Sequence, residues 1–291
     1  MTPRGNVAIV TDSGADLAPE VASAAGIRIV PLAVRFGAEE FLVGVDLSTA
    51  EFWSRLLAPD APFPSTASPS PGTFQETFEA CFADGADAVV CPLIGSQLSA
   101  TFQAATLAAQ ALPDREIHVI DTGSTSMATG MPALLAAGMA AAGVPPAEIA
   151  MAIRARLPDV DLFVALDTLD YLKKGGRISA ARAAIGNVLS IKPIITVLDG
   201  QVVMAERPRT RTKARERVLE LIVARPLERL AILHTPTSSS AEVEAFRAAV
   251  VARVPGGIDP THVSVGLLGA TTGPHLGPGL MGACFLVRRP S

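Results

Sequence analysis

The sequence predicts a two-domain protein: a Rossmann-like α/β domain with a parallel sheet, followed by an α+β domain with a mainly antiparallel sheet. Strand and helix patterns alternate through the first half, as they do in parallel sheets covered by helices. The second half instead mixes hairpin patterns with helices. Hydrophobic residues make up 49% of the 291 residues, which is enough for two cores. We expect the domains to be 1–155 and 156–291.

Apolar runs and helix signals define the elements of the first half. Strands are expected at 6–12, 27–36, 86–93 and 116–121, with a hairpin turn at 36–40. Helices are expected at 19–26, 48–58, 72–85, 99–112, 125–143 and 146–156, and Ser48 with Glu51 forms a capping box on the second. Sites on parallel sheets lie beyond the carboxyl ends of the strands, so Asp12, Ser96 and Asp121 are expected at one edge.

The second half has fewer helices and more turns. A strand running into a short helix is expected at 160–169, followed by a basic, glycine-rich turn at 173–179. Residues 191–208 are expected to form two strands around the turn at Asp199 and Gly200. The remaining expected elements are helices at 211–224 and 239–254 and strands at 229–235, 261–268 and 282–289.

Composition and charge argue against several classes of protein. The net charge is −4, which argues against a nucleic-acid partner. The three cysteines form no Cys-x-x-Cys pair, so neither a disulfide framework nor a zinc site is expected. There is no signal-peptide layout, and the most apolar helical stretch, 131–144, is too short to cross a bilayer. These features predict a cytoplasmic protein with no cofactor and no stable membrane insertion.

Two catalytic-looking motifs fail on their context. The stretch "VIDTGS" (119–124) resembles half of an aspartic-protease site, but that chemistry needs two carboxylates and no second copy is present. We interpret Asp121 and Thr122 as residues that cap the next helix and complete a loop. The stretch "GPGLMG" (277–282) matches a dinucleotide-binding pattern, yet only nine residues follow it, too few for the required helix.

Four side chains remain as candidates, each with an ordinary structural alternative. Thr66 lies in a hydroxyl- and proline-rich stretch, 64–72, whose composition also suits a solvated linker. Ser99 lies at a helix start, where it would serve as an N-cap or help to bind an anion. Arg177 could bind a carboxylate or a phosphate, and the alternative is an ordinary surface charge. His275 lies in a loop of Gly, Pro and Thr, where most histidines have no function.

Together these stretches resemble the DegV family of bacterial fatty-acid-binding proteins. The resemblance implies two α/β domains with a long-chain fatty acid between them, its acyl chain in an apolar tunnel and its carboxylate held by hydroxyls and a histidine. It also implies a carrier that presents the acid to a separate fatty acid kinase, which makes an acyl phosphate for phospholipid synthesis. The matching stretches are "VAIVTDSGADL", "TASPSPGTF", "IGSQLSATFQAA", "VIDTGS", "LDTLDYLKKGGRIS", "IKPIITVLDG", "RPRTRTKA" and "HLGPGLMG", which run from residue 7 to 282.

The resemblance assigns roles to five residues of this chain. Thr66, Ser99 and His275 match the family's carboxylate-binding positions, and Ser96 lies close by in sequence. Arg177 matches the Arg of the family's Gly-Gly-Arg, and we expect it to act in phosphotransfer with the partner kinase. The chain departs from the family's motifs at Ala67, Ser68, Gly95 and Ala100, which puts the contacts around the ligand residues in question.

Two other functions stay open on the sequence alone. One is a serine-dependent hydrolase or transferase that uses Ser99 or Ser13 with His275. The other is a phosphate-binding regulatory module that uses "TDSGAD" (11–16) and Arg177. Identification of a co-purified fatty acid would distinguish the carrier from both.

Overall fold

The computed structural model describes residues 6–178 and 191–289. Ser179, at the end of the turn predicted over 173–179, lies outside the described residues. The chain folds into two compact units, Met1–Pro158 and Asp159–Ser291.

The first unit is built on a parallel sheet, as the alternating patterns predict. The sheet has the order β2-β1-β6-β7, and all of its neighbouring strands are parallel. The strands of this unit are β1 (Val7–Asp12), β2 (Ile27–Val30), β3 (Ala33–Phe36), β4 (Glu39–Leu42), β5 (Ser65–Ala67), β6 (Ala88–Leu93) and β7 (Glu116–Asp121).

Helices cover both faces of this sheet. Apolar side chains of α5 and α6 pack on one face, around Ile9 and Val90, and those of α3 and α4 pack on the other, around Val10 and Val89. Burial on both faces explains why these strands have continuous apolar runs rather than alternating ones. The helices are α1 (Pro19–Ala24), α2 (Thr49–Leu56), α3 (Pro71–Ala83), α4 (Thr101–Gln110), α5 (Met127–Ala141) and α6 (Pro146–Arg156).

The prediction of a single strand over 27–36 is wrong, because the strand is interrupted at Pro31. Proline has no N–H and cannot continue a ladder, so β2 ends at Val30. Strand β3 then leaves the parallel sheet and forms a separate antiparallel sheet of order β4-β3-β5. The predicted hairpin joins β3 and β4, with Gly37 at a φ of +62° in its turn.

The hydroxyl-rich stretch 64–72 is not a solvated linker. Its residues Ser65–Ala67 form β5, which pairs antiparallel with β3. Ser70 then caps α3 by accepting a hydrogen bond from Thr73 N, and Pro71 occupies the first helical position, where its missing N–H costs nothing. The predicted capping box of Ser48 and Glu51 on α2 is confirmed.

The second unit is an α+β fold with a mostly antiparallel sheet, as predicted. The sheet has the order β10-β9-β8-β13-β11-β12, and only β11 and β12 are parallel. Its strands are β8 (Val160–Ala165), β9 (Ile194–Leu198), β10 (Gln201–Glu206), β11 (Leu227–His234), β12 (Val263–Leu267) and β13 (Met281–Val287). Its helices are α7 (Asp170–Lys174), α8 (Arg211–Ile222), α9 (Ser240–Arg253) and α10 (Gly273–Leu276).

Two features of this unit follow directly from sequence. Asp199 and Gly200 have φ values of +50° and +75° in the turn between β9 and β10, which are the angles of a type I′ hairpin. Helices α8 and α9 pack their apolar stripes on the sheet, with Val218 and Phe246 among the buried contacts. Within the described part of the chain, no helix is both long and apolar enough to span a bilayer.

The centre of the second sheet depends on a glycine, which gives a prediction about stability. A Cβ on Gly282 in β13 would overlap the carbonyl oxygen of Phe163 and the Cα of Val164. We expect Gly282→Ala to lower the free energy of unfolding by about 2 kcal/mol or more, because the neighbouring strand must shift. Urea denaturation measures this change.

Gly266 in β12 provides a matched control in the same sheet. A Cβ there meets nothing within 4 Å. We expect Gly266→Ala to change the free energy of unfolding by no more than about 0.5 kcal/mol. Equal losses in the two variants would contradict the packing described for β8 and β13.

Candidate functional site

The carboxyl ends of β1 and β6 are tied together by a buried carboxylate. The Oδ1 of Asp12 accepts a hydrogen bond from Gly14 N at 2.7 Å, and its Oδ2 accepts one from Ile94 N at 2.8 Å. Burial raises the pKa of Asp12 to about 6, although both hydrogen bonds act to lower it. Both oxygens of the Asp12 carboxylate are therefore bonded to backbone N–H groups, and the residue has a structural role at this edge of the sheet.

A second carboxylate joins the loops that follow β6 and β7. The Oδ1 of Asp121 accepts hydrogen bonds from Ser96 N at 3.1 Å and Gly123 N at 2.9 Å. The hydroxyl of Thr122 donates to the carbonyl of Leu93 at 2.8 Å. These contacts complete a loop, as predicted, and they place the loops after β6 and β7 at the same edge of the sheet.

The prediction that Asp121 and Thr122 cap the next helix is wrong. Helix α5 begins at Met127, and its N-cap position is Ser126. The Ser126 hydroxyl donates to the Asp16 carboxylate at 2.6 Å instead of capping the helix. The five residues between Asp121 and α5 form the loop, so Asp121 ends too far from the helix to satisfy its first N–H groups.

A cluster of hydroxyls lies at the start of α4. The Ser99 hydroxyl is 3.0 Å from the Ser68 hydroxyl and 2.8 Å from the Thr101 hydroxyl. Ser99 is not the N-cap of α4, because Ala100 occupies that position without a side-chain bond. The cluster therefore joins the hydroxyl-rich stretch 64–72 to the loop after β6.

Thr66 is close in sequence to Ser68, a member of this cluster, and its side chain points to the same side of the chain. It is the middle residue of β5, two positions before Ser68. Side chains two residues apart in extended chain point to the same side, so Thr66 and Ser68 share one face. Thr66, Ser68 and Ser99 are all half-buried, whereas Ser96 is exposed. The first unit therefore presents a group of partly accessible hydroxyls.

His275 of the second unit lies in a short helix rather than in the predicted loop. It belongs to α10, and its ring packs so closely on Gly175 that a Cβ there would overlap Nδ1. Burial, together with the nearby positive charge of Arg177, lowers the pKa of His275 to about 4. The imidazole is therefore neutral at pH 7 and has one N–H to donate.

Arg177 lies on the turn that supports His275. Its Nη1 donates to the carbonyl of Gly175 at 2.7 Å, and its backbone N donates to Leu172 O at 3.1 Å. The side chain is half-buried, so it is not simply a solvated surface charge. Gly175 thus contacts the imidazole through its Cα and the guanidinium through its carbonyl oxygen.

The candidate residues form two groups, one in each unit. Ser99 lies with Ser68 and Thr101 in the first, and His275 lies with Arg177 in the second. Ser68 was not predicted as a partner of Ser99, although it lies in the same hydroxyl-rich stretch, 64–72, as Thr66. Gly175 could not be identified from the sequence, because it has no functional group and its role is to leave room for the His275 ring. Residues 6–178 and 191–289 contain no group of three or more His, Cys, Asp or Glu arranged to hold a metal.

Solved structures share this fold over nearly the whole chain. A DegV family protein from Thermus thermophilus, described as binding fatty acid, is 30% identical with a TM-score of 0.87, over 97% of this chain and 100% of its own. A stearic acid-binding protein from Eubacterium ventriosum is 26% identical with a TM-score of 0.85, over 96% of this chain and 97% of its own.

Sequence comparison agrees with the structural one. A DegV domain-containing protein of Streptomyces coelicolor is 38% identical over 283 residues, which are 95% of this chain and 97% of that protein. The family model described as "Uncharacterised protein, DegV family" matches residues 6–288. The chain therefore belongs to the DegV family.

Proposed function

We propose that this protein binds a long-chain fatty acid and presents it to a separate kinase. The observation that carries the proposal is the match of nearly the whole chain to a DegV family protein described as binding fatty acid and to a second protein described as binding stearic acid. The polar groups described above suit such a ligand, because a carboxylate needs a few hydrogen-bond donors and little else.

The carboxylate is held by Thr66, Ser99 and His275 in this proposal. Hydroxyls and a neutral imidazole are all donors to an anion. Ser68 bonds the Ser99 hydroxyl and so fixes its direction, while Ser96 lies three residues away in the same loop. Because the pKa of His275 is lowered to about 4, the head group meets a neutral donor rather than an ion pair.

The acyl chain supplies most of the binding free energy in this proposal. Each buried CH₂ contributes roughly 0.8 kcal/mol, so a chain of about fifteen contributes on the order of 12 kcal/mol gross. The loss of translational and rotational freedom offsets part of that. An apolar tunnel around the acyl chain is what the family resemblance implies.

Arg177 acts in the hand-over to the kinase in this proposal. The hydroxyls and His275 suffice to hold the carboxylate, and Arg177 already donates to Gly175 O. A guanidinium close to His275 is suited to stabilise the charge that grows on an acyl phosphate as it forms. The protein itself is then a carrier, and the phosphoryl transfer is catalysed by its partner.

The observed contacts favour the carrier over a serine-dependent enzyme. The Ser99 hydroxyl is bonded to two other hydroxyls, which cannot act as a general base. The Ser13 hydroxyl accepts a hydrogen bond from Leu32 N at 2.9 Å, which is a structural contact.

The contacts also favour the carrier over a phosphate-binding module. The "TDSGAD" loop (11–16) would have to offer free backbone N–H groups to an anion. Asp12 already accepts from Gly14 N and Ile94 N. A buried carboxylate there would also repel a phosphate when ionised.

The first prediction concerns the ligand. Purified protein should carry about one long-chain fatty acid per chain, because the apolar tail gains from burial. Mass spectrometry of an organic extract identifies it, with the extract of an unrelated protein from the same host as control. Lipid-free protein that also fails to bind added stearic acid would contradict the proposal.

The second prediction separates binding from hand-over. Thr66→Ala and His275→Ala should weaken fatty-acid binding, because each removes a donor to the carboxylate. Arg177→Ala should leave the affinity within about tenfold while sharply lowering acyl-phosphate formation. The assays are equilibrium binding of a fluorescent fatty acid, and acyl-phosphate formation with a fatty acid kinase and ATP.

Two outcomes would show that these roles are wrongly assigned. One is that Arg177→Ala abolishes binding. The other is that Arg177→Ala leaves phosphorylation untouched. Lys174→Ala, which removes an exposed charge at the end of α7, three residues before Arg177, is the matched control and should change neither assay.

The third prediction concerns pH. The pKa of His275 is about 4 in the folded protein and 6.5 when unperturbed. The unfolded chain therefore takes up a proton first, so stability is full above pH 6.5 and falls as the pH drops towards 4. Between pH 7.5 and 5.0 this residue should remove about 2 kcal/mol from the free energy of unfolding.

Urea denaturation at both pH values measures the effect. His275→Gln should lose about 2 kcal/mol less than the wild type over this interval. His262→Gln removes a histidine outside the site and should behave as the wild type. The same pH dependence in wild type and His275→Gln would mean that His275 is not held neutral by the fold.

A further inference from the structure

Two segments of the second unit lie against each other at three successive points. The first runs from residue 167 to 175 and includes α7. The second is residues 275–279, the end of α10 with the turn that follows it, which we call the histidine loop. At each point a Cβ on a glycine would overlap the facing side chain. The pairs are Asp167 with Gly279, Tyr171 with Gly277, and His275 with Gly175.

The three pairs follow opposite orders along the two segments. Residue numbers rise from Asp167 through Tyr171 to Gly175 in the first, while they fall from Gly279 through Gly277 to His275 in the second. The two segments therefore run antiparallel, and α7 contacts α10.

The Tyr171 ring covers the backbone of the histidine loop. It lies on the Cα of Gly277, two residues after His275. Gly277 has a φ of +70°, which side chains other than glycine rarely adopt. The ring therefore rests on a turn whose shape decides where the preceding histidine points.

Asp167 holds the other end of the histidine loop. Its carboxylate lies against the Cα of Gly279, whose N–H donates to the hydroxyls of Thr235 at 2.9 Å and Thr237 at 3.0 Å. Gly279 has a φ of +89°. The residue is thus clamped between a carboxylate on its Cα and two hydroxyls on its nitrogen.

The position of Asp167 is itself fixed by two cations. Its carboxylate accepts hydrogen bonds from Lys192 Nζ at 3.0 Å and from Arg211. Burial would raise the pKa of Asp167, but these two partners hold it below its ordinary value. The carboxylate is therefore ionised and cannot easily rotate away from Gly279.

We propose that Tyr171 and Asp167 are positioning residues, which hold the histidine loop so that His275 faces the ligand carboxylate. The role in ligand binding rests on the proposed function, whereas the placement of His275 does not. In this proposal both residues act through the backbone of residues 277–279 rather than through the fatty acid.

The test reads the His275 ring directly, in protein without ligand. NMR titration of the imidazole in Tyr171→Ala and Asp167→Ala should show its pKa rising from about 4 towards 6.5, because a loosened loop lets water reach the ring. In the same variants the affinity for stearic acid should fall by about tenfold or more.

Two controls separate positioning from a general loss of stability. Tyr171→Phe keeps the ring over Gly277 and should restore both readouts. Asp161→Ala removes a half-buried carboxylate on β8, where Asp161 pairs with Arg225 at 2.8 Å, and its exposed fraction of 26% matches the 24% of Asp167. We expect Asp161→Ala to lower stability but to leave the pKa of His275 unchanged.

The outcomes distinguish this proposal from the proposed function. An unchanged pKa of His275 in the folded Tyr171→Ala and Asp167→Ala proteins would overturn the positioning role. A raised pKa with undiminished affinity would confirm the placement of His275 and contradict its role in holding the carboxylate. If Tyr171→Ala does not fold, Tyr171→Leu keeps an apolar side chain but not the ring and serves the same comparison.

Discussion

The close approach of Gly175 to His275 is the constraint on which the site in the second unit depends. The imidazole lies where any larger residue would place its Cβ. This contact buries the ring, brings it near Arg177, and lowers its pKa to about 4. A neutral histidine beside a guanidinium is a poor base but a good donor, so the geometry suits the binding of an anion better than the activation of a nucleophile.

Each unit has a buried titratable group, and the pKa values of the two groups are shifted in opposite directions. In the first unit, Asp12 lies at the carboxyl edge of the parallel sheet, and its pKa is raised to about 6. Its contribution to the stability of the folded state is therefore lost as the pH rises through that value. In the second, His275 favours the folded state less as the pH falls from 6.5. Asp12 ties strands together, whereas His275 lies beside an arginine and just before Gly277 and Gly279, two glycines with positive φ.

The sequence predicts the architecture well and the local contacts of the site less well. Apolar runs and capping signals place the sheets, because burial on one or two faces determines the pattern. Pro31 splits a strand that looks continuous, since one missing N–H outweighs a run of β-formers. The N-cap alternative for Ser99 fails because Ala100 occupies that position, and the linker alternative for residues 64–72 fails because β5 pairs with β3, about thirty residues earlier in the chain. His275 is a candidate from its glycine- and proline-rich surroundings, but its burial could not be predicted, because it depends on Gly175, a hundred residues earlier.

The central proposal is that Ser99 and His275 donate to the carboxylate of one bound fatty acid. Stearic acid labelled with ¹³C at its carboxyl carbon tests this most directly, by the NMR shift of the bound carboxyl group in wild type, Ser99→Ala and His275→Ala. We expect a single resonance that moves in both variants, because each removes a donor to the same group. A resonance that responds to only one of the two substitutions would contradict the claim.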